Sequence, residues 1–387
     1  MTTDGADLAR LRRFNELAVL ATVRAGGELR LAQIAERTGL ARASVGEVVR
    51  GLVGNGWLEE KAPVVAGRGR PAHRYAFRAD AGRVLGLDIG AHNVRVQLAD
   101  LEGTVLASLR HRTEPELPRT KRLQAIERAI RDCLKQGSVS SDQVWATVAG
   151  STGWVDGDGQ ILLSASIPDW AGVDLAGKLR TIVDGPIVVD NDSRLAALAE
   201  QRRGAGVGVA DLVLLQAGRR TGLGLVIGGR PHRGFGSAAG DLSMHRVLKW
   251  ESAIEYLLLC KAEPASGPTD DHVADVLVAA AEGDAEALVA VRRYVRELGV
   301  AAAAAASMID PEVVVLGGSM SAHTELLLPL LERELELLCL RPPTVRGSTL
   351  GADSAALGAV CLALERLDTA LLATGAGPLG PLARPAS

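Results

Sequence analysis

GRGRP at residues 67–71, followed by VLGLDIG at residues 84–90, decides the fold of this 387-residue chain. In the first stretch two arginines, Arg68 and Arg70, alternate with glycine, which is typical of an exposed and conformationally free loop. The second is an apolar run of strand length that ends in Asp88 and Gly90. A glycine turn after a strand lets phosphate approach backbone N–H groups without a side chain in the way. The pair therefore predicts a cationic loop joined to a phosphate-binding α/β body.

Apolar residues at helical spacing precede the cationic loop and predict three helices. Ala35, Gly39 and Val45 have the spacing of a helix-turn-helix, because a small residue lets two helices cross and glycine supplies the positive-φ turn. The outer face of the third helix would then enter the major groove of DNA. The helices are expected at 8–24, 31–38 and 42–54, and the groove-facing residues are Arg42, Ser44, Glu47 and Arg50. A protein-binding module of the same three-helix shape is the alternative.

Two predicted strands, at 57–60 and 74–77, flank the glycine-rich loop and indicate a hairpin. Arg68 and Arg70 at its tip suit a narrow A·T-rich minor groove, where the electrostatic potential is most negative. A solvated loop without function is the alternative, but the position after a helix-turn-helix favours DNA. Ala41 stands where a Ser or Thr cap is expected, so the third helix should be weakly capped. Residues 1–80 are therefore predicted to form a winged helix-turn-helix DNA-binding domain.

Charge is distributed unevenly along the chain. The first 82 residues carry 13 Lys and Arg against 9 Asp and Glu, and the net charge is −3, so the remainder is acidic by seven charges. A basic head on an acidic body is expected when nucleic-acid binding is confined to one end. The four cysteines (Cys133, Cys260, Cys339 and Cys361) form no CxxC pair and are expected to be core thiols. With no apolar signal segment or spanning run, we expect a cytoplasmic protein that does not contact a membrane.

The body, from residue 81 onward, alternates strands with helices and repeats this pattern once, which predicts two α/β lobes around a cleft. The lobes are expected at 81–204 and 205–372, and the Gly-, Pro- and Ala-rich tail at 373–387 is expected to be disordered. The predicted strands are 84–89, 94–99, 104–110, 145–150, 186–190, 211–217, 222–228 and 313–316. The predicted helices are 119–136, 172–182, 194–203, 247–262, 271–281, 284–308, 322–337 and 353–367.

Polar and glycine residues follow several of these strands. Glycine turns at 88–90, 222–224 and 317–318 lie where nucleotide phosphates would bind between two such lobes. Asn191 and Asp192 follow another strand, where an amide and a carboxylate can bind sugar hydroxyls and a carboxylate can take a proton from one. A helix cap is the alternative role for the Asn-Asp pair, and also for Asp241 further along the chain.

In combination these features resemble the ROK family (repressors, open reading frames and kinases), specifically its regulator branch, over about residues 10–370. Apart from the segments above, the resemblance rests on residues 166–170, 233–234, 239–241, 310–318 and 351–358. It implies a two-lobed actin-like ATPase or sugar-kinase fold behind the winged head. Family regulators bind operator DNA as dimers or tetramers and respond to a sugar or sugar derivative in the former kinase cleft. Asp192 matches the catalytic base of the kinases, and the expected effector contacts are Trp170, Asn191, Asp192 and Asp241.

Departures from the family pattern argue against ATP turnover and zinc binding. Ala91-His92 replaces the usual Gly-Thr, and Arg219-Arg220 replace small residues, which crowds a triphosphate although two arginines suit an anion. The family's Glu-x-Gly-His is DLSM at 241–244, and its cysteine-rich zinc loop is absent between His245 and Trp250. We therefore expect no metal and no cofactor. The nucleotide-loop residues expected to be degenerate are Asp88, Gly90, Gly222, Gly224, Gly317 and Gly318.

Taken together, the sequence predicts a homodimeric or homotetrameric transcription regulator, most simply a repressor of carbohydrate-related genes, with operator DNA as its partner. A sugar or sugar-phosphate effector would occupy the cleft. One alternative is an ATP-dependent sugar kinase with an accessory head. Another is a protein-interaction adaptor whose head binds no DNA.

Overall fold

The computed structural model describes residues 3–62, 73–242, 248–249, 252–269 and 271–373. Its first part consists of α1 (Thr3–Gly26), β1 (Leu29–Arg30), α2 (Leu31–Thr38), α3 (Arg42–Gly54), β2 (Leu58–Lys61) and β3 (Arg74–Phe77). The strands form an antiparallel sheet of order β1-β3-β2. Gly39 has a φ of 71°, and its N–H donates to the carbonyl of Ala35 at 2.9 Å, which ends α2 as the helix-turn-helix spacing predicts. The two-residue β1 was not predicted, because it is too short to show periodicity.

The first lobe is built on a five-stranded sheet of order β10-β7-β4-β5-β6, with the small ribbon β8-β9 beside it. Its elements are β4 (Arg83–Ile89), β5 (Asn93–Asp100), β6 (Val105–Arg112), α4 (Arg119–Gln136), β7 (Val144–Ser151), β8 (Trp154–Val155), β9 (Ile161–Leu163), α5 (Leu175–Arg180), β10 (Ile187–Asn191) and α6 (Asp192–Arg203). The central strands β4 and β7 are parallel and buried on both faces. Helix α5 is shorter than the predicted 172–182, because Asp174 caps it by accepting from the N–H of Gly177 at 2.7 Å.

The second lobe repeats this plan with a five-stranded sheet of order β13-β12-β11-β14-β15. Its elements are β11 (Leu212–Gln216), β12 (Gly222–Ile227), β13 (Arg230–Pro231), α7 (Ile254–Leu258), α8 (His272–Ala281), α9 (Ala285–Ile309), β14 (Val313–Gly317), α10 (Thr324–Leu338), β15 (Thr344–Gly347) and α11 (Ser354–Ala373). Strand β15 was not predicted, since it alternates weakly and is defined by its parallel pairing with β14. The helix predicted at 247–262 is reduced to α7 within the described residues. The tail from 374 lies outside them.

Helices α6 and α11 lie between the two sheets and pack against each other. Glycines allow close contacts between α11 and α6, between β4 and α11, and between β12 and α6. A Cβ on Gly358 of α11 would lie 1.7 Å from a carbonyl oxygen of α6. A Cβ on Gly86 of β4 would lie 2.4 Å from a carbonyl of α11, and one on Gly224 of β12 would lie 2.3 Å from a carbonyl of α6. The order of layers is therefore first sheet, α11, α6, second sheet.

This order changes the sequence-based division of the body. The second lobe was predicted to span residues 205–372, which include the last helix. In the structure this helix, α11, packs on β4 and β7 of the first sheet. The reason is that α11 has small and aliphatic residues on more than one of its faces, so the first sheet can pack on one face and α6 on another. These residues are Ala355, Ala356, Ala359, Val360 and Ala363.

The winged head is docked on the first lobe and on α11. The rings of Trp57 and Trp145 meet edge to face with centroids 6.4 Å apart, and the buried cores of head and lobe are continuous. Arg24 of α1 donates to the carboxylate of Asp368 in α11 and to the carbonyl of Leu101, both at 2.6 Å. The guanidinium of Arg24 also lies 5.4 Å from the ring centroid of Phe77. The head is thus joined directly to the helix that separates the lobes.

Candidate functional site

A cavity of about 280 Å³ opens between the two lobes. Loops at the carboxyl ends of strands from both sheets line it, which is where open α/β sheets bind ligands. Seven of the predicted residues line this cavity: Asp88, Gly90, Asn191, Asp192, Gly222, Asp241 and Gly318. The structure does not bring Trp170, Gly224 or Gly317 to the cavity wall. Most of the residues that the sequence predicted for a site between the lobes therefore line one cavity.

Asp192 is the first residue of α6, and its carboxyl has a strongly raised pKa. Burial raises its pKa to about 7, and the negative charge of Asp88 acts in the same direction. The backbone N–H of Ser193 donates to Asp192 Oδ1 at 2.7 Å, and the Ser193 hydroxyl lies 2.6 Å from Gln216 Oε1 of the second lobe. A carboxyl with a pKa near 7 can accept or donate a hydrogen bond to a sugar hydroxyl at neutral pH.

Removing the charge of Asp192 is expected to stabilise the protein at high pH. Because its pKa is raised when folded, the folded chain keeps a proton that the unfolded chain loses, so stability falls as the pH rises through about 4–7. Asp192→Asn should raise the free energy of unfolding at pH 8 by roughly 1–3 kcal/mol, and by little at pH 4.5. Urea unfolding at both pH values measures this, with exposed Asp158→Asn as control. An equal effect at the two pH values would contradict the raised pKa.

Asn191 plays the capping role that was left open from the sequence. Its side-chain oxygen accepts from the N–H of Arg194 at 3.0 Å and caps α6. Its amide nitrogen donates to the carbonyl of Gly153 at 2.9 Å. One amide hydrogen can still face a ligand, so Asn191 serves both the helix and the cavity wall.

Asp190 is a buried anchor that sequence reasoning missed. Its carboxylate pairs with Arg194 of α6 and with Arg233 of the second lobe. Arg194 also donates to the carbonyl of Ser237 at 2.8 Å. The segment 232–241, which carries Asp241 to the cavity, is therefore held against the first lobe. Asp190 lies in β10 and Arg194 in the first turn of α6, so the ion pair spans the junction of a strand and a helix, and no periodic pattern in the sequence predicts it.

The expected effector contact Trp170 is instead a core residue. Its side chain is 0% exposed, and its indole N–H donates to Ser151 Oγ at 2.9 Å in the interior of the first lobe. The assignment was wrong because a bulky apolar ring lowers its free energy most by full burial once its single donor has a partner. Trp154 lines the cavity instead, and its indole N–H donates to the carbonyl of Gly236 across the cleft at 2.8 Å.

The glycines of the predicted nucleotide loops divide into two roles. Gly318 lines the cavity with a φ of 86°, where a Cβ would lie 2.4 Å from the carbonyl of Ala217. Gly224 and Gly317 are packing residues: a Cβ on Gly224 would collide with α6, and one on Gly317 would lie 2.9 Å from Leu214. The spacing of the glycines alone does not separate these roles.

The turn after β4 is held by a buried cation and by an ion pair. Arg122 of α4 is 0% exposed and donates to the carbonyls of Gly90 at 3.0 Å and Glu114 at 2.6 Å. Asp88 accepts from Arg95 at 3.1 Å, but burial outweighs this pairing and raises the pKa of Asp88. Sequence reasoning named Asp88 and missed both arginines.

Three cationic or titratable side chains line the cavity beside the loops that the sequence predicted to bind nucleotide phosphates. His92 follows the β4 turn, and Arg219 and Arg220 belong to the loop between β11 and β12. Arg220 donates to the carbonyl of Ala165 in the first lobe at 3.3 Å, so its side chain spans the cleft. Burial and then the positive charge of Arg219 lower the pKa of His92. That the loops no longer accommodate a triphosphate stays a prediction.

The described residues do not fit a zinc site. Burial raises the pKa of Cys133 to about 11 and raises the pKa of the other three thiols, whereas zinc binds thiolates. No three His, Cys, Asp or Glu side chains of the described residues are grouped as metal ligands. His245 and its neighbours at 243–247 lie outside those residues, so the absence of zinc stays a prediction.

The predicted groove-facing residues of the head are exposed on α3, whose opposite face is buried. They are Arg42, Ser44, Glu47 and Arg50. Ala41 makes no side-chain cap, as expected. Arg68 and Arg70, with the whole loop at 63–72, lie outside the described residues. The predicted DNA-reading face of α3 is therefore exposed to solvent. The role of Arg68 and Arg70 in the minor groove remains a prediction.

Comparison with known proteins gives the family. Residues 84–253 and 262–366 match the ROK family, and residues 16–62 match the IclR helix-turn-helix domain. The chain belongs to the ROK family. The predicted family and fold class are thereby confirmed, with the helix-turn-helix in front of the ROK body.

Curated ROK relatives include both regulators and kinases. The xylose repressor of Caldicellulosiruptor bescii is 22% identical, covering 82% of this chain and 86% of that protein. The DNA-binding transcriptional dual regulator NagC of Escherichia coli is 26% identical, covering 83% and 84%. A glucokinase of Streptomyces coelicolor is 26% identical, covering 73% and 98%, so about a quarter of this chain has no counterpart in it.

Solved structures show the same division. A ROK family glucokinase from Streptomyces griseus, in complex with glucose and AMPPNP, superposes with a TM-score of 0.61 at 26% identity, covering 73% of this chain and all of that chain. A ROK family transcriptional regulator described as a homolog of the Escherichia coli MLC protein covers 94% of this chain and 98% of its own, with a TM-score of 0.68 at 20% identity. With a helix-turn-helix domain in front of its ROK body, the chain has the domain composition of a sugar-responsive transcriptional regulator. Within its described part, no helix has the length and apolar character to cross a membrane.

Proposed function

We propose that this protein is a cytoplasmic, homo-oligomeric repressor of carbohydrate-related genes, with a sugar or sugar derivative as its effector and no enzymatic activity. The observation that carries the proposal is the exposed face of α3, on a head whose core is continuous with the cleft-bearing lobe. The similarity to a xylose repressor and to an N-acetylglucosamine repressor of Escherichia coli supports the repressor and carbohydrate parts. Because helix-turn-helix oligomers match palindromic half-sites, a dimer or tetramer suits the head.

The structure offers a route by which a ligand would affect DNA binding. Asp192 and Asn191 stand at the start of α6, which packs on α11 at Gly358. Near its other end, α11 carries Asp368, the partner of Arg24 in the head. A ligand that binds the closed and open cleft with different affinity would shift α6 and α11, and with them the spacing of two heads in an oligomer.

Binding to its own promoter region tests the proposal. Fluorescence anisotropy with duplexes from that region should give a Kd of about 10⁻⁸ M or tighter, with affinity that falls steeply between 50 and 200 mM salt. Xylose, N-acetylglucosamine or glucose, or a phosphate ester of one of them, should weaken binding by about tenfold or more. Duplexes of scrambled sequence are the control. Equal affinity for promoter and scrambled DNA would refute the regulator assignment.

An ATP-dependent sugar kinase is the second candidate, because Asp88 and Asp192 still line the cleft. We expect no turnover above background in a coupled ADP-release assay with glucose, xylose and N-acetylglucosamine. Arg219 and Arg220 replace the small residues of the family pattern, and Arg220 reaches across the cleft to the carbonyl of Ala165. The matched control is Asp192→Asn, which should leave the signal unchanged. Turnover by the parent protein that Asp192→Asn abolishes would establish the kinase instead.

A further inference from the structure

We propose that the effector carries a phosphate group, which Arg219 and Arg220 bind at the mouth of the cleft. The inference rests on the proposed function, because it names the chemical class of ligand for the same cavity. It arises from a feature that separates this chain from the expected family pattern: two adjacent arginines in a loop where small residues are usual.

The charges along the cavity wall leave these two arginines without strong partners. Arg95 and Arg194, the other arginines of the wall, form ion pairs with Asp88 and Asp190. Arg219 lies 3.4 Å from a carboxylate oxygen of Asp271, but both side chains are about half exposed, and such a pair contributes little free energy. Among the described residues, Arg220 donates to a carbonyl and forms no ion pair, so two guanidinium groups are available to a dianion.

The backbone that carries the arginines is fixed from two sides. The hydroxyl of buried Tyr294 lies 3.5 Å from the carbonyl of Gly218, the residue before Arg219. A Cβ on Gly218 would lie 2.8 Å from Ser319 Oγ, so the loop packs closely on the turn after β14. Arg220 reaches the first lobe from this loop, so an anion bound there would contact both lobes. A fixed backbone lowers the entropy lost when the side chains close on a ligand.

Hydrogen bonds connect the loop that carries the arginines to the Asp192 carboxyl. Gln216, at the end of β11, lies within hydrogen-bond distance of the Ser193 hydroxyl, and Ser193 holds the Asp192 carboxyl. The cavity wall therefore carries both carboxyl groups, which suit sugar hydroxyls, and guanidinium groups, which suit a phosphate.

Matched ligand pairs test the proposal by isothermal titration calorimetry on the full chain. The pairs are glucose and glucose 6-phosphate, N-acetylglucosamine and its 6-phosphate, and xylose and xylose 5-phosphate. The phosphate member of at least one pair should bind about 10- to 100-fold more tightly than its parent sugar. Arg219→Gln with Arg220→Gln should remove this preference and leave the affinity for the parent sugar within about threefold.

The control variant, Arg128→Gln with Arg230→Gln, removes the same charge from exposed arginines outside the cavity and should keep the preference. If no pair binds, inorganic phosphate is titrated by thermal shift. If phosphate stabilises the parent protein and the control variant but not the Arg219/Arg220 variant, the result supports phosphate binding by these two arginines. Equal affinity within every pair, a preference that survives in the double variant, or no stabilisation by phosphate would each overturn it. Promoter binding by the parent protein separates the two proposals. If the parent protein does not bind its promoter, the proposed function fails, whereas the phosphate proposal is judged by the ligand titrations.

Discussion

Gly358→Ala is expected to destabilise the protein by roughly 3 kcal/mol or more, the largest effect of a single methyl group that the structure suggests. The added Cβ would lie 1.7 Å from the carbonyl oxygen of Leu195, so α6 and α11 must move apart. Both helices are held between two sheets, and a close-packed interior transmits such a shift rather than absorbing it. Urea or thermal unfolding of the purified variant measures the loss.

The chain contains a matched control for this substitution. Gly51 also lies within a helix, and a Cβ there would meet nothing within 4 Å. Gly51→Ala should therefore stabilise the protein by roughly 0.5–1 kcal/mol, because alanine loses less backbone entropy in a helix. Opposite signs for the same chemical change would establish the close helix contact. A loss below about 0.5 kcal/mol at Gly358 would show that α6 and α11 are further apart than described.

Arg42→Ala with Arg50→Ala should weaken promoter binding by about 100-fold or more. Arg42 stands at the first turn of α3, where base edges are read, and one base contact contributes roughly 1–3 kcal/mol of discrimination. Arg50, two turns later on the exposed face, is placed for phosphate, so Arg50→Ala alone should lower the salt dependence by about one unit. Fluorescence anisotropy at several salt concentrations measures both quantities.

Arg128→Ala is the control for the head variants, since it removes one exposed charge from α4 of the body. It should leave both the affinity and the salt dependence unchanged. If the Arg42 and Arg50 variants also bind promoter DNA like the parent, α3 does not enter the groove. The head would then be the protein-binding module that its three-helix shape also permits.

The sequence was informative where structure depends on neighbours in the chain. Helices α2, α3 and α4 begin and end at the predicted residues, because the spacing of apolar side chains sets a helix within a few turns. Gly39 closes α2 as its spacing required. Seven of the ten residues predicted for the cleft line the cavity, since strand ends of one sheet meet at one edge.

Contacts between distant segments decided the remaining features. Whether Trp170 faced the cavity or the core depended on Ser151, 19 residues away, which provides the acceptor for its indole N–H. Asp190 and Asn191 are adjacent and both residue types can cap a helix, yet Asn191 caps α6 while Asp190 pairs with two arginines, one of them from the second lobe.

The sequence by itself therefore determined the winged head, the α/β body and the polar residues available to a cleft, because local periodicity and turn chemistry specify these. Only the tertiary structure decided that α11 lies between the lobes, that Arg24 joins it to the head, and that Arg220 spans the cavity. These arrangements depend on residue pairs far apart in the chain, and the free energy of such pairs is set by close packing and burial rather than by local pattern.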